Sequence, residues 1–456
     1  MTTQVVILAA GQGKRMHSAI PKVLHTLAGK PLLSHVIHTA TNVAPLLSPV
    51  IVFGHQGAVI KTALKDQAAK WVEQTEQLGT GHALLQALSK VDERSNVLVL
   101  YGDVPLISVD TLKNLIDVTP KNALGILTAT LSNPTGYGRI KRDKKNKIID
   151  IVEEKDASKS ELAIQEINTG IYYVPASYLK KWLPKLKNKN AQREYYLTDI
   201  IAMAVKDRVP VCAVQPITPE EILGVNDRLQ LAFLERFYQH QQAEKFMRLG
   251  ITLRDPARFD ARGDVQMGRD VVIDVNVILE NVTIGNNCVI GANVIIRNTS
   301  IGDHVEIKAN SIIDDATIAA HCVIGPFARL RPGTVLAPHV HIGNFVEIKN
   351  SAIDDNSKVN HLSYIGDAEI GARVNIGAGT ITCNYDGAHK HKTIIEDDVH
   401  IGSDTQLVAP VKIRKGATIG AGSTIIKNAP AHQLTLSHEL KQRSRKDWKR
   451  PVKKKV

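Results

Sequence analysis

Cysteine is scarce in this chain of 456 residues: Cys212, Cys288, Cys322 and Cys383 are its four, far apart and without CxxC spacing. Such usage argues against a disulfide framework or a thiolate zinc site and suits a reducing cytoplasm. Aromatic residues make up only 4% of the chain, too few to supply the stacking platforms that hold single-stranded nucleic acid. No window approaches 18 uninterrupted apolar residues, so no segment is expected to insert in a membrane. The first residues, Met1 to Leu8, lack a basic leader and run straight into a glycine loop. They read as a first strand rather than a signal peptide.

What is present is a globular composition, 43% hydrophobic and 22% charged, over a length that implies two to four domains at roughly 100–200 residues each. The net charge of +12 is concentrated at one end. From Lys441 onward there are nine basic side chains and one acidic, which leaves 48 and 44 for the rest of the chain. The basic excess is therefore read as a solvated terminus, and no nucleic-acid partner is expected.

Two halves differ in periodicity. From Gln4 to about Gly224, apolar runs alternate with amphipathic stretches: Val5–Ala9, Val50–Phe53 and Val97–Tyr101 as buried strands, Pro31–Ala44 and His82–Val91 as helices. Continuous apolar strands between helices predict an α/β domain with a parallel, Rossmann-like sheet covered on both faces. From Val272, aliphatic residues recur every six positions: Val272, Ile278, Ile284, Ile290 and Ile296, with the frame slipping by one at Ile301 and continuing in runs to Ile425. Six residues rotate an α-helix by about 600°, scattering the repeats over three faces, whereas an even period keeps them on one face of a strand. The repeat thus predicts a parallel β-helix with aliphatics inward and glycines, as in Ile284-Gly285 and Ile342-Gly343, at the turns. Asp227–Leu249, stopped by Gly250, reads as a linker helix. The expected domains are 1–226, a linker helix 227–249, and 250–456 with the basic tail.

The first strand leads into Leu8-Ala9-Ala10-Gly11-Gln12-Gly13-Lys14-Arg15-Met16, a loop whose backbone N–H groups suit a phosphate. It is not a Walker loop, because GK[ST] is missing, and no acidic residue ends the second strand as dinucleotide binding requires. Pro21-Lys22, Leu78-Gly79-Thr80-Gly81-His82, Tyr101-Gly102-Asp103-Val104-Pro105, Asn133 to Gly138, Glu166 to Gly170 and Gly224-Val225-Asn226 follow in order. In this set the chain resembles the sugar-1-phosphate nucleotidyltransferases, in their UDP-N-acetylglucosamine pyrophosphorylase branch. The resemblance implies that Leu8, Ala9, Ala10, Gly11, Gln74, Gly79 and Thr80 hold the uridine nucleotide of UTP, with Tyr101, Gly102 and Asp103 beside it. It implies Lys22 and Arg15 as catalytic cations, Gly138, Glu153, Asn168 and Asn226 on the sugar side, and Mg²⁺ on Asp103 and Asn226. Glu154 adjoins Glu153, and a slip of one residue would exchange them.

The hexapeptide repeat breaks after Ile376 with an inserted loop, Thr382-Cys383-Asn384-Tyr385-Asp386-Gly387-Ala388-His389-Lys390-His391-Lys392, preceded by Asn360-His361-Leu362-Ser363-Tyr364. Arg331 and Lys349 lie 18 residues apart, one coil if a coil is three hexapeptides. This half resembles the hexapeptide acyltransferases, whose β-helix coils left-handed. The whole chain resembles the bacterial bifunctional enzymes that are both glucosamine-1-phosphate N-acetyltransferases and N-acetylglucosamine-1-phosphate uridyltransferases. That likeness implies His361 as general base, and Arg331, Lys349, Tyr364 and Asn375 on the sugar phosphate. It implies Ala378, Asn384, Tyr385, Ser403 and Ala421 along acetyl-CoA, and a homotrimer. His438 stands where an arginine is expected at coenzyme A, so either it or Arg443 or Arg445 makes that contact. The other sixteen histidines are read as surface residues. The rival reading is a uridyltransferase alone, with the β-helix a scaffold.

Overall fold

A computed structural model describes residues 2–11, 13–54 and 56–437. His438, Arg443, Arg445 and the basic tail lie outside the described residues. The chain divides into two units, one up to Tyr238 and the other from Gln239. A helix, Arg228–Arg248, runs through the division. The Asp227 carboxylate accepts from the Gln230 N–H at its start, and Gly250, at φ +95°, closes it.

The first unit is built on a sheet in the order Val211–Val214, Leu124–Thr130, Glu166–Pro175, Asn96–Tyr101, Thr3–Ala9, Val50–Phe53, Lys70–Glu73. Alternation along the strands divides the core in two. Val6, Leu8, Val50, Val52, Val97 and Val99 pack on one face, and Val5, Ile7, Ala9, Ile51, Phe53, Leu98 and Leu100 on the other. Helices Thr80–Ala87 and Ala176–Trp182 cover the first face, Leu32–Val43 and Val109–Val118 the second. The expected sheet is mostly parallel but not throughout. Glu166–Pro175 runs antiparallel to both neighbours, because the hairpin Arg139–Arg142/Ile148–Val152 that precedes it returns the chain in the opposite sense. The central strands Thr3–Ala9 and Asn96–Tyr101 remain parallel, so their carboxyl ends release the Gly11 loop and Asp103 side by side, where ligands of open α/β sheets bind.

The second unit is a stack of parallel strands on three ladders, and one continuous core fills it. Its coil is 17 residues, as Ile273 pairing with Ile290 and Ile290 with Ile307 show. Steps of six, six and five residues make that coil, so the expected frame was wrong at its start: Ile273 and Leu279 point inward, and Val272 and Ile278 are only half-buried. An extra residue between Leu330 and Leu336 lengthens one coil to 18, which sets Leu330 opposite Ile348.

The corners are not turned by the glycines that follow the inward residues. They are turned by residues at positive φ, mostly asparagine in the early coils: Asn276, Asn281, Asn287, Asn293 and Asn298. Asparagine tolerates the left-handed region because its side chain hydrogen-bonds locally, and here it also bonds upward, Asn276 to Asn293 at 2.9 Å and Asn293 to Asn310 at 3.1 Å. Gly285 and Gly343 serve close approach instead. A Cβ on Gly343 would sit 1.9 Å from the Asn360 carbonyl oxygen on the next coil.

Candidate functional site

In the first unit a cavity of about 390 Å³ opens at the carboxyl ends of the central strands. Leu8, Ala9, Ala10, Gly11, Lys22, Gln74, Gly79, Thr80, Tyr101 and Asp103 all line it. Gly79 needs its φ of +109°, and a Cβ there would meet the Tyr195 backbone at 2.8 Å. Gln74, 2% exposed, donates to the Gly79 carbonyl at 3.2 Å and meets His82 Nδ1 at 3.0 Å. His82, His25 and His35 therefore depart from the surface reading of the histidines; burial is the leading cause that pushes His25 and His35 below the usual imidazole range. Arg15 is not brought to the cavity. It stands exposed on the 3₁₀ turn Lys14–Met16, whose buried residue is Met16. Gly102 does not line the cavity either; its lack of a side chain lets Ala9 pack close, 3.0 Å from where a Cβ would be. Gln77 and Glu194 are wall residues that the motifs missed. Glu194 comes from a loop with no signature of its own, next to Tyr195, whose N–H donates to the Leu78 carbonyl.

Lys22, Asp103 and Asn226 converge although 81 and 204 residues separate Lys22 from the other two. The Lys22 ammonium donates to the Asp103 carboxylate and, at 3.1 Å, to the Asn226 amide oxygen. A cationic group thus already sits against one carboxylate and one carbonyl oxygen. That is a donor set of the kind magnesium takes when substrate phosphates complete its shell, so these residues fit the expected ion. Burial, reinforced by the Glu153 and Asp103 carboxylates, pushes the Tyr101 phenol well above its ordinary range and keeps it a neutral wall.

The neighbouring glutamates have different surroundings. Glu153 accepts from the Thr198 hydroxyl at 3.1 Å and lies 3.6 Å from where a Cβ on Gly138 would be. Burial pushes its carboxyl up. Glu154 turns away to Arg139, 3.4 Å distant, and to the Gly136 N–H. Asn168 receives the Gly170 N–H at 2.9 Å and the Tyr172 hydroxyl at 3.0 Å, and its own N–H donates to the Gly138 carbonyl. Gly138, Glu153 and Asn168 are thus tied together, though none lines the cavity.

In the second unit, one corner of five successive coils is turned by Phe345, Leu362, Gly379, Asp404 and Gly422, all at positive φ. The residues immediately before them are Asn344, His361, Ala378, Ser403 and Ala421. Four of those were expected at the acetyl-transfer site, so a separation of 60 residues in sequence becomes one ridge. Asn344 pairs in register with His361; the Asp404 N–H donates to the Ala378 carbonyl at 2.7 Å and the Gly422 N–H to the Ser403 carbonyl at 2.8 Å.

Beside the ridge, Arg331 and Lys349 sit at the ends of paired strands, where the Arg331 N–H donates to the Ile348 carbonyl. Glu347, absent from the expectations, takes the Arg331 guanidinium at 2.7 Å. Tyr364 and Asn384 both crowd Gly366: a Cβ there would meet the Tyr364 hydroxyl at 2.4 Å and the Asn384 amide at 2.9 Å. Asn375 pairs with Lys358 below and His400 above. The inserted loop adds eight residues to the 17-residue coil between Ile376 and Ile401. Tyr385 bridges Lys390 across it. Asp386 fastens it by accepting from the Ala388 and His389 N–H groups and from His391, which hold its carboxyl far below the usual range. The loop brings Lys390 against Lys349, whose ammonium is pushed down by that neighbour. Lys390 carries no motif, and only the loop's fold reveals it.

Comparison with known proteins agrees with this division. A profile of MobA-like NTP transferase domains matches residues 5–202, one of GMPPB C-terminal domains matches residues 261–344, and one of bacterial transferase hexapeptide repeats matches residues 392–427. The Nitrosospira multiformis protein named Bifunctional protein GlmU is 56% identical over 452 residues, covering 99% of this chain and 98% of its own. The chain belongs to the GlmU family. The Aromatoleum aromaticum GlmU is 55% identical over 454 residues, and the Azoarcus sp. GlmU 54% over 451, each covering 99% of both chains. In this GlmU family member the NTP transferase match falls on the unit with the cavity and the hexapeptide match on the unit with the ridge. The expected architecture of a nucleotidyltransferase domain followed by a parallel β-helix, and the expected pairing of two transferase activities, are both borne out. No helix among the described residues is long and apolar enough to cross a membrane.

Proposed function

We propose that the chain makes UDP-N-acetylglucosamine in two steps, acetyl transfer from acetyl-CoA to glucosamine-1-phosphate at the β-helix and then uridylyl transfer from UTP at the first unit. The ridge of His361, Ala378, Ser403 and Ala421 carries the first assignment, because it lines up a base with a track for an extended thioester. His361 takes a proton from the substrate ammonium, and the freed amine attacks the thioester carbonyl. The C–S bond breaks, the imidazolium returns its proton to the departing thiolate, and the acylated nitrogen gives up its second proton to solvent. Arg331 and Lys349 hold the sugar phosphate, Tyr364 and Asn375 the sugar, and Asn384 and Tyr385 the acyl donor.

In the second step the sugar phosphate oxygen attacks the α-phosphorus of UTP in line, and pyrophosphate leaves. Leu8 to Gly11, Gln74, Gly79 and Thr80 bind the nucleotide, and Lys22 balances phosphate charge. Gly138, Glu153 and Asn168 act on the sugar side, and exposed Arg15 reaches the triphosphate from the loop. Asp103 and Asn226 would hold Mg²⁺, which supplies charge neutralisation at the phosphates when bound.

We assign residues 1–226 to uridylyl transfer, 227–249 to the linker and 250–456 to acetyl transfer. The four cysteines are free, which suits a cytoplasmic enzyme. The hexapeptide repeats support a homotrimer, and the apolar row Phe327, Phe345 and Leu362, between 48% and 63% exposed beside the ridge, offers a surface that further copies of the chain would cover.

The test follows coenzyme A thiol release on adding glucosamine-1-phosphate without UTP. His361→Ala should abolish it and leave pyrophosphate release from UTP with supplied N-acetylglucosamine-1-phosphate intact, while Lys22→Ala should do the converse, lowering that pyrophosphate release by about 10²-fold or more. Thiol release that survives His361→Ala sinks the acetyl-transfer assignment.

A further inference from the structure

Among the described residues, a single side chain holds the imidazole of His361. Its Nδ1 lies 3.0 Å from the Asn344 amide oxygen, and the two residues are register partners on adjacent coils. Both stand directly before a corner residue at positive φ, Phe345 at +55° and Leu362 at +47°, so the backbone points both side chains off the same edge. A carbonyl oxygen can only accept. The bond therefore places the ring proton on Nδ1 and leaves the Nε2 lone pair bare, which is the tautomer that removing a proton from an ammonium requires.

We propose that Asn344 is a positioning residue for acetyl transfer, selecting the tautomer of His361 with basic Nε2 and fixing the plane of its ring. This rests on His361 being the base. A neutral amide does this without placing a negative charge beside the imidazolium that forms. A carboxylate in the same place would hold the proton more firmly and shift the working range of the base. The other titratable groups on the elements packed here are His341 on the strand of Asn344, Lys358 on that of His361, and Glu347, Lys349 and Tyr364 past the corner. The coil above presents Asn375, Gly377 and Ala378, none of them titratable. Glu347 is engaged by Arg331, and among the described residues only Asn344 hydrogen-bonds to the ring.

Asn344→Leu and Asn344→Asp, in the full chain, are compared with wild type and His361→Ala by thiol release across the neutral pH range. Asn344→Leu should lower kcat by about 10-fold or more, with the KM for both substrates within about twofold. Asn344→Asp, nearly isosteric and presenting only acceptor oxygens, should keep most of kcat at its optimum and move the acidic limb of the profile up by about one pH unit. An unmoved limb in Asn344→Asp, or an unchanged kcat in Asn344→Leu, overturns the inference while leaving His361 as base. Thiol release that persists in His361→Ala removes the base itself, and this inference falls with it.

Discussion

Glu153 and Glu154 are adjacent carboxylates whose removal should have opposite signatures. Glu154 sits 3.4 Å from Arg139, whose side chain is only 3% exposed, and it also receives the Gly136 N–H. Neutralising it as Glu154→Gln leaves a buried guanidinium with the Tyr137 carbonyl as its main acceptor. Removing one partner of a fully buried ion pair costs about 3–5 kcal/mol. With the Glu154 side chain 30% exposed, the cost should fall to about 1–2 kcal/mol. At about 2–4 °C per kcal/mol for a unit of this size, the thermal transition of the first unit should drop by about 2–8 °C, with the KM for N-acetylglucosamine-1-phosphate unchanged. Glu153→Gln keeps the Thr198 acceptor and removes a carboxylate that burial already disfavours. Its transition should hold or rise slightly, while that KM rises about 10-fold. Calorimetry with pyrophosphate-release kinetics on both variants decides the matter. A KM effect in Glu154→Gln together with unchanged kinetics in Glu153→Gln would refute the reasoning and exchange the two roles.

Asp199 is half-buried at the start of the helix Ile200–Lys206, and burial, with Asp150 and Asp156 nearby, pushes its carboxyl up to about 6. A raised carboxyl binds its proton more tightly in the folded state, so its contribution is complete below about pH 4 and is lost as pH rises through 6. Asp199→Asn should therefore raise the melting temperature at pH 7.5, by an equivalent of about 1–2 kcal/mol after solvent screening, and do nothing at pH 4; a gain equal at both pH values would contradict this. Gly343→Ala drives a Cβ into the Asn360 carbonyl and should cut acetyl transfer at least 10-fold with uridylyl transfer intact, because the displaced backbone carries Asn344. A chelator should stop pyrophosphate release and spare thiol release, and equal inhibition of both would contradict the assignment of the ion to Asp103 and Asn226.

Much of this was legible in the residues. The even period of aliphatics forced a strand reading, and the ordered motifs from Gly11 to Asn226 located the cavity. The coil length was harder to see, because six-residue spacing fits at two successive faces and fails at the third. The asparagines at 276, 281, 287, 293 and 298 carry the true phase in their intervals of five and six. Residues that act through another group left no trace. Asn344 reads as an ordinary rung until the 17-residue coil sets it against His361, and Lys390 is one lysine among many until the loop folds back. Arg15 marks the opposite case: its place in a motif gave no sign that the turn buries Met16 and leaves the guanidinium exposed, off the cavity wall.

The corner that carries His361, Ala378, Ser403 and Ala421 has one more consequence. Parallel strands stack at about 4.8 Å, so three coil steps separate the base from the last of these residues by about 14 Å. The extra eight residues after Ile376 bulge outward without changing that spacing, since Ile376 still pairs with Ile401. The β-helix therefore works as a ruler graduated in whole coils. Its reading is set by how many coils lie between two marks, and outward loops can grow or shrink without altering it.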